Sequence, residues 1–190
     1  SPYYRDESLL LGLGFSPYTL MLQLLAKADD IFTVGREYYS HPNYRGDDKP
    51  TIIHQSSATG MQAIPATGIA QGLQYLQKIN SPLYKKGING EAPIVICSLG
   101  DASLTEGEVS EAFQVAVLKK LPIIYLVQDN DWGISVTSDE ARTMNASEFA
   151  KGFKGLQRIS IDGSDFFQSY EVMKNVFNEV RQNTEPFLVH

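Results

Sequence analysis

The chain carries Leu99-Gly100-Asp101-Ala102-Ser103-Leu104-Thr105-Glu106-Gly107 after one apolar segment and Asn130-Asp131-Trp132-Gly133-Ile134-Ser135 after the next. Asp101 and Asn130 are 29 positions apart, which is enough for one strand–helix–strand unit. Such a unit places both side chains at the carboxyl ends of neighbouring parallel strands. Open α/β sheets bind phosphorylated ligands at that edge, so the spacing predicts a phosphate site there.

The segments around this pair alternate between strand-like and helix-like patterns. Apolar runs predict strands at 94–97 and 123–127, a weaker one at 157–161 and a closing one at 187–190. Apolar residues at helical spacing predict helices over about 16–30, 61–79, 106–119 and 165–182. Turn-forming residues predict loops over 35–56 and 81–91. Alternating strands and helices predict an α/β fold with a mostly parallel sheet and helices on both faces.

Composition bounds the class of protein. Hydrophobic residues are 43% of the 190 residues and the net charge is −6 without a basic block, which disfavours nucleic-acid partners. No apolar run has the length of a membrane span, so a membrane partner is not expected. The single cysteine, Cys97, precludes an internal disulfide and favours a reducing compartment. We expect one domain over 1–190, a fragment of a longer chain, and a cytoplasmic location, with the mitochondrial matrix as the alternative.

The residue types at the predicted edge suit a magnesium ion. Mg²⁺ takes about six oxygens in near-octahedral geometry and prefers to share them with phosphates. Asp101 offers a carboxylate and Asn130 a side-chain carbonyl. Taken singly, Asp101 is more typical of a helix N-cap or turn, and Asn130 of a turn. Together, at this spacing, they favour the metal site.

The two stretches resemble the thiamine-diphosphate motif, usually written Gly-Asp-Gly…Asn. With Thr105-Glu106-Gly107, and with Tyr4-Arg5-Asp6 resembling a Tyr-Arg-Glu start, the chain from Tyr4 to Val189 is similar to the alpha subunit of a 2-oxoacid dehydrogenase, or the alpha part of a fused chain. The branched-chain (2-oxoisovalerate) type is the nearest likeness. Ala102 stands where the motif has its second glycine. Gln128 stands where the resemblance to the branched-chain enzymes implies an arginine that contacts phosphate.

The resemblance implies a set of site residues. The metal ligands would be Asp101, Asn130 and the backbone carbonyl of Trp132. The cofactor-binding residues would be Tyr4, Arg5, Ser57, Thr59, Gly100, Asp101, Ala102, Ser103 and Asn130. Without the resemblance, Arg5 reads as a solvated surface arginine and Ser57 equally well as a helix-capping residue.

The resemblance also implies an activity: oxidative decarboxylation of a 2-oxo acid with thiamine diphosphate and Mg²⁺, and transfer of the acyl group to a lipoyl-bearing acyltransferase. The glutamate that protonates the cofactor comes in this family from a beta subunit or domain, so no catalytic residue is assigned here. The alternatives are a pyruvate-type or transketolase-like enzyme, a non-catalytic alpha-like assembly module and a simple nucleotide-binding domain.

Three local expectations accompany this interpretation. Ser103 and Leu104 are expected to open the helix after the motif, where free N–H groups suit a diphosphate. His41, before a proline in a loop, is expected to be solvated. His190 ends a strand and is not equated with the catalytic histidines of the family.

Overall fold

The central sheet is entirely parallel in the computed structural model, which describes residues 1–87 and 89–190. Its strand order is β1-β2-β6-β5, and a separate antiparallel hairpin joins β3 to β4. The strands are β1 (Val95–Gly100), β2 (Ile123–Gln128), β3 (Trp132–Gly133), β4 (Val136–Thr137), β5 (Gln157–Ile159) and β6 (Phe187–Val189). The predicted parallel sheet is therefore confirmed, and all four predicted strands belong to it.

Seven α-helices are found in the described residues. They are α1 (Glu7–Gly12), α2 (Pro17–Leu24), α3 (Ala63–Lys78), α4 (Gly107–Lys119), α5 (Ser138–Ala141), α6 (Ala146–Ala150) and α7 (Phe166–Asn183). The four predicted helices are present, whereas α1, α5, α6 and the hairpin were not predicted. These elements span two to six residues each, too few for apolar periodicity to reveal them.

The predicted helix over 16–30 ends early, at Leu24, for a local reason. Ala26 adopts the left-handed conformation with φ 49°, which no helix continues through. Beyond it, the buried Asp30 carboxylate accepts hydrogen bonds from backbone N–H groups, including those of Phe32 and Thr33. Burial opposes the charged form, but the hydrogen bond from the Thr33 hydroxyl and those from the backbone N–H groups outweigh it and lower the pKa of Asp30. The segment therefore folds as a turn rather than a helical extension.

Alternating residues of the sheet bury two cores, one on each face. Tyr125 and its same-face neighbours pack against α3 and α4, and the ring of Phe113 on α4 meets Tyr125 edge-on at 4.6 Å between centroids. Ile124 points to the opposite face, where it packs with Val176 and Val180 of α7. The predicted arrangement of helices on both faces of the sheet is thereby confirmed.

Cys97 lies at the centre of β1 with no exposed surface, and burial raises the pKa of its thiol to about 12. Above pH 9, near the ordinary pKa of 9.0, the unfolded thiol loses its proton while the folded one keeps it. The free energy of unfolding must then fall with pH, by up to about 1.4 kcal/mol per pH unit. We expect urea titrations between pH 8 and 10.5 to show this fall in the wild type and a shallower one in Cys97→Ala. Equal slopes would contradict the assignment to Cys97.

No helix among the described residues is long and apolar enough to cross a membrane.

Candidate functional site

The carboxyl edge of the sheet brings the two motif stretches together. β1 and β2 pair from Val95↔Ile123 to Gly100↔Gln128, so both strands end at the same level. Asp101 and the Asp129-Asn130 pair follow directly. Residues Asp101–Thr105 form one turn of 3-10 helix, and α4 begins only at Gly107. The expectation that Ser103 and Leu104 open the helix was therefore wrong, because the extended backbone of Glu106 (φ −77°, ψ 135°) separates the turn from α4.

Asp101 is a buried carboxylate whose two oxygens differ in their surroundings. Its side chain is 1% exposed, and Oδ2 lies 2.6 Å from Nη1 of Arg142. Oδ1 is buried and has no hydrogen-bond partner among the described residues. Leaving a buried carboxylate oxygen unpaired is costly. A ligand that offers a cation or a donor to Oδ1 would therefore be stabilised here.

Arg142 links the two strand ends and was not identified from the sequence. Its Nη2 donates to Oδ1 and Oδ2 of Asp129 at 3.0 and 3.2 Å. Burial lowers the pKa of the guanidinium, but the Asp101 and Asp129 carboxylates outweigh this effect and raise it. The sequence signal is the capping box of Thr137 and Glu140, which starts α5 and so fixes where Arg142 follows it.

Asp129 extends this network towards the end of β6. Its Oδ2 lies 2.9 Å from Nε2 of His190, whose Nδ1 is 3.1 Å from Oγ of Ser160. Burial opposes ionisation of Asp129, but the Asp131 N–H, His190 and Arg142 together hold its pKa below the ordinary value. His190 thus supports a carboxylate next to the site, a role that its sequence position did not reveal.

Asn130 and Trp132 stand at the base of the β3–β4 hairpin. Asn130 is exposed, and its Oδ1 accepts a hydrogen bond from the backbone N–H of Trp132 at 3.1 Å. Gly133 faces the motif turn so closely that an added Cβ would lie 2.9 Å from Cβ of Ala102. Ala102 does not have a positive φ, so this backbone does not require the second glycine of the motif.

The N-terminal segment packs over the end of β1. The hydroxyl of Tyr3 lies against Gly100, and the guanidinium carbon of Arg5 is 5.2 Å from the Tyr3 ring centroid and 5.6 Å from that of Tyr4. Asp6 accepts a hydrogen bond from the side chain of Gln128, which fixes this segment to β2. Gln128 therefore anchors the N-terminal segment through Asp6.

Three side-chain atoms around this edge are buried without a partner among the described residues: Oδ1 of Asp101, Oγ of Ser103 and Nε of Arg5. One is anionic, one is neutral and one is a cationic donor. Buried polar atoms are normally paired, so unpaired ones on residues at a strand edge and on the segment packed over it suit a bound polar ligand. Guanidinium and hydroxyl donors suit phosphate oxygens, whereas a carboxylate suits a metal ion.

Gly100→Ala tests whether Tyr3 positions this segment. The φ of Gly100 is −86°, which alanine tolerates, but its Cβ would lie 2.7 Å from the Tyr3 hydroxyl. The Tyr3 ring must then shift, and with it the Arg5 guanidinium that packs against this ring. We therefore expect the affinity for the thiamine diphosphate that the resemblance implies to fall about 10-fold, since one paired phosphate contact is worth about 1.5 kcal/mol. Gly68→Ala is the matched control because Gly68, inside α3, has open space around it. Equal affinities in calorimetric titrations of both variants would contradict this role.

Ser57 and Thr59 are exposed residues of the loop before α3. Oγ of Ser57 is 3.1 Å from Nε2 of His41, and His41 is only 4% exposed. The expectation that His41 is solvated was wrong, because Gln23 and Tyr39 engage it through hydrogen bonds. The loop continues to Gly60, where an added Cβ would lie 3.1 Å from the Glu106 side chain. Contacts of Ser57 and Thr59 with a cofactor stay predictions.

The predicted ligand set fits a divalent ion with a diphosphate. In the part of the chain described, residues 1–87 and 89–190, no group of three or more His, Cys, Asp or Glu side chains is arranged to hold a metal ion. Mg²⁺ usually takes one or two protein carboxylates and shares its other positions with phosphates and water. The free Oδ1 of Asp101 and the side-chain carbonyl of Asn130 are oxygens of the required kind.

The sequence relatives of the chain are alpha subunits. It is 29% identical over 189 residues to the 2-oxoisovalerate dehydrogenase subunit alpha of Bacillus subtilis, covering 99% of this chain and 52% of that protein. It is 31% identical over 194 residues to the pyruvate dehydrogenase E1 component subunit alpha of Porphyra purpurea, covering 98% and 51%. The chain thus spans about half the length of the curated relatives that it matches.

Solved structures share the fold at lower identity. A transketolase variant from Pichia stipitis matches with a TM-score of 0.61 and 22% identity, over 80% of this chain and 22% of that one. The transketolase of Campylobacter jejuni matches with a TM-score of 0.58 and 24% identity, over 72% and 20%. These likenesses concern the fold.

The family described as "Dehydrogenase E1 component" matches residues 1–190, the whole of the chain. Its members use thiamine diphosphate with a divalent metal, in agreement with the oxygen and guanidinium groups found at the carboxyl edge of the sheet. The chain therefore belongs to the dehydrogenase E1 component family, on the side of the alpha subunits of the thiamine-diphosphate-dependent 2-oxoacid dehydrogenases.

Proposed function

We propose that this chain supplies the diphosphate–metal half of a thiamine-diphosphate site in an enzyme that oxidatively decarboxylates a 2-oxo acid. The observation that carries the proposal is the unpaired Oδ1 of the buried Asp101, at the carboxyl end of β1 and beside the end of β2. This observation supports a metal ligand at Asp101, because a bound cation would compensate the charge of a carboxylate oxygen that is buried away from water.

Each residue of the site has a stated task in this proposal. Asp101 Oδ1, Asn130 Oδ1 and the backbone carbonyl of Trp132 would hold the divalent metal, while Arg5 and Ser103 would bind diphosphate oxygens. Gly100, Ala102 and Tyr4 would shape the surface that receives the diphosphate, and Ser57 and Thr59 would contact the aminopyrimidine ring. Thiamine diphosphate, when bound, supplies the electron sink that a 2-oxo acid needs to lose carbon dioxide.

The chain's own contribution is then to bind and orient. Asp101 is buried at the end of β1, so its carboxylate would offer a bound metal one fixed anchoring point at the sheet edge. The Arg5 side chain, held over the rings of Tyr3 and Tyr4, closes the edge from the N-terminal side. None of the residues assigned here acts on the reactive end of the cofactor, so a second protein surface would complete the site there.

We further propose that this second surface is a beta subunit or beta domain and that the acyl group passes to a lipoyl-bearing acyltransferase. Family membership on the alpha side supports the beta partner. No side chain among the predicted site residues is assigned the protonation of the cofactor, so that acid is expected from the beta half. A branched-chain 2-oxo acid is the proposed substrate, on the strength of the 2-oxoisovalerate dehydrogenase relative, with pyruvate as the alternative.

The proposed activity is tested on the complete protein, assembled with its beta half. We expect release of carbon dioxide from 2-oxoisovalerate in the presence of thiamine diphosphate and Mg²⁺, with a higher kcat/KM than from pyruvate. The reverse preference would contradict the substrate. Cofactor binding without turnover of any 2-oxo acid would contradict the activity and favour a non-catalytic assembly module, and a ketose phosphate as substrate would favour a transketolase-like enzyme.

A further inference from the structure

The ion pair between Asp101 and Arg142 is not accounted for by the proposed function. Their closest atoms, Oδ2 and Nη1, are 2.6 Å apart, and the side chains are 1% and 8% exposed. Buried pairs of this kind add little net stability compared with apolar packing. Its presence at a proposed metal ligand therefore suggests a purpose other than holding the fold together.

The pair divides the two oxygens of Asp101 between two partners. Arg142 takes Oδ2, whereas Oδ1 is buried and has no partner among the described residues. A free carboxylate can rotate about its χ2 angle and offer either oxygen, or both, to a metal. A carboxylate tied by one oxygen offers only the other, in one direction. Carboxylates that bind metals are commonly held by hydrogen bonds in this way.

The same guanidinium ties the second strand end to the first. Nη2 of Arg142 donates to both oxygens of Asp129, which directly precedes Asn130. The planar guanidinium spans two carboxylates in a fixed geometry, which the ammonium of a lysine does not reproduce. Arg142 thereby fixes the distance between Asp101, one proposed ligand, and Asp129, the neighbour of the other proposed ligand, Asn130.

The charges around Arg142 leave room for a divalent cation. Its guanidinium lies 2.6 Å from Asp101, 3.0 Å from Asp129 and 3.8 Å from Asp131. One positive charge thus faces three carboxylates, and the local excess is negative. A second cation of charge +2 at Oδ1 of Asp101 is attracted rather than repelled by this cluster as a whole.

The chain builds Arg142 into this position by local means. The capping box of Thr137 and Glu140 starts α5 after the β3–β4 hairpin, and the hydroxyl of Ser138 donates to Oδ1 of Asp131 at 3.1 Å. Arg142 follows α5 with extended backbone (φ −151°, ψ 153°) and turns its side chain back to the strand ends. The hairpin, the helix and the ion pairs therefore form one connected unit.

We propose that Arg142 is a positioning residue for the metal: it holds Oδ2 of Asp101 and joins it to Asp129, so that Oδ1 is presented to the ion beside Asn130. The inference rests on the proposed function, because it assigns a role towards the metal of that same site. In this proposal Arg142 acts through Asp101 and Asp129 and is not itself a ligand of the metal.

The test measures Mn²⁺ binding to the complete protein by electron paramagnetic resonance, with and without thiamine diphosphate. We expect Arg142→Gln to weaken Mn²⁺ binding about 10- to 100-fold, the range typical when a partner of a metal ligand is removed. Arg142→Lys retains the charge but cannot bridge both carboxylates, so its Mn²⁺ affinity should lie between those of the wild type and Arg142→Gln. Arg36→Gln is the control, since it removes the same charge from an exposed residue.

The lineshape of bound Mn²⁺ is the readout that a purely structural role would not change. A positioning role predicts a broader, more heterogeneous spectrum in Arg142→Gln, because Asp101 can then offer either oxygen. Unchanged affinity and lineshape with a lowered melting temperature would overturn the inference and leave Arg142 as a stabilising residue. Tighter Mn²⁺ binding in Arg142→Gln would overturn it too, by showing that the guanidinium competes with the metal.

The failure of the proposed function is distinguishable from this failure. Wild-type protein that binds thiamine diphosphate and Mn²⁺ while Arg142→Gln is unaffected contradicts only the positioning role. Wild-type protein that binds no Mn²⁺ with thiamine diphosphate present contradicts both proposals.

Discussion

Asp101→Asn is expected to lower the affinity for thiamine diphosphate in Mg²⁺ by about 100-fold, because even partners of metal ligands are worth about 10- to 100-fold. The amide retains the shape of the side chain but removes the negative charge that the proposal assigns to the ion. We expect the Mg²⁺-dependent rise in melting temperature on adding thiamine diphosphate to disappear, since only ligand bound to the native state stabilises it.

Asp101→Asn is also expected to lower the free energy of unfolding of the protein without cofactor. Arg142 loses one of its two closest carboxylates and stays buried, with a side chain 8% exposed. Breaking a buried ion pair on one side costs about 3 kcal/mol. Asp29→Asn, at an exposed position, is the matched control and should change neither quantity. Thiamine diphosphate binding to Asp101→Asn at wild-type affinity, with its Mg²⁺ dependence intact, would contradict the assignment of Asp101.

Phe113→Ala should lower the free energy of unfolding by about 4 kcal/mol, the range for a fully buried aromatic ring. Phe113 has no exposed surface and contacts Tyr125, Phe149 and Phe153, with ring centroids 4.6, 6.4 and 5.4 Å away. Its removal leaves a cavity where α4, the sheet and α6 meet.

Leu118→Ala is the control on the same helix, because Leu118 is 70% exposed and should cost less than about 0.5 kcal/mol. Urea unfolding followed by circular dichroism gives both values. A cost below about 1.5 kcal/mol for Phe113→Ala would indicate that the ring is not in a close-packed core.

The sequence predicted those parts of the site that depend on strand order. Asp101 and Asn130 each follow an apolar strand, and parallel pairing brings strand ends to one level, as Gly100↔Gln128 does. The aromatic and aliphatic residues of α4 and β2 likewise follow periods that sequence reveals directly. The parallel sheet, the helices on both of its faces and the position of Asp101 and Asn130 after neighbouring strand ends could thus be predicted from local pattern and topology, whereas metal binding by these two residues stays a prediction.

The rest depends on contacts between distant segments or on very short elements. Arg142 is 41 positions from Asp101, and only the fold of the hairpin and α5 brings its guanidinium there. His41 looked like a loop histidine, but packing against residues from α2 buries it. The 3-10 turn at Asp101–Thr105 is set by backbone angles that residue types at these positions do not specify.

The most direct test of the central claim is whether a metal held by Asp101 also binds the cofactor's diphosphate. Electron–nuclear double resonance on Mn²⁺ bound to the complete protein with thiamine diphosphate reports this contact through the phosphorus nuclei. We predict a strong phosphorus coupling in the wild type that is absent in Asp101→Asn. Bound Mn²⁺ without phosphorus coupling, or the same coupling in Asp101→Asn, would contradict it.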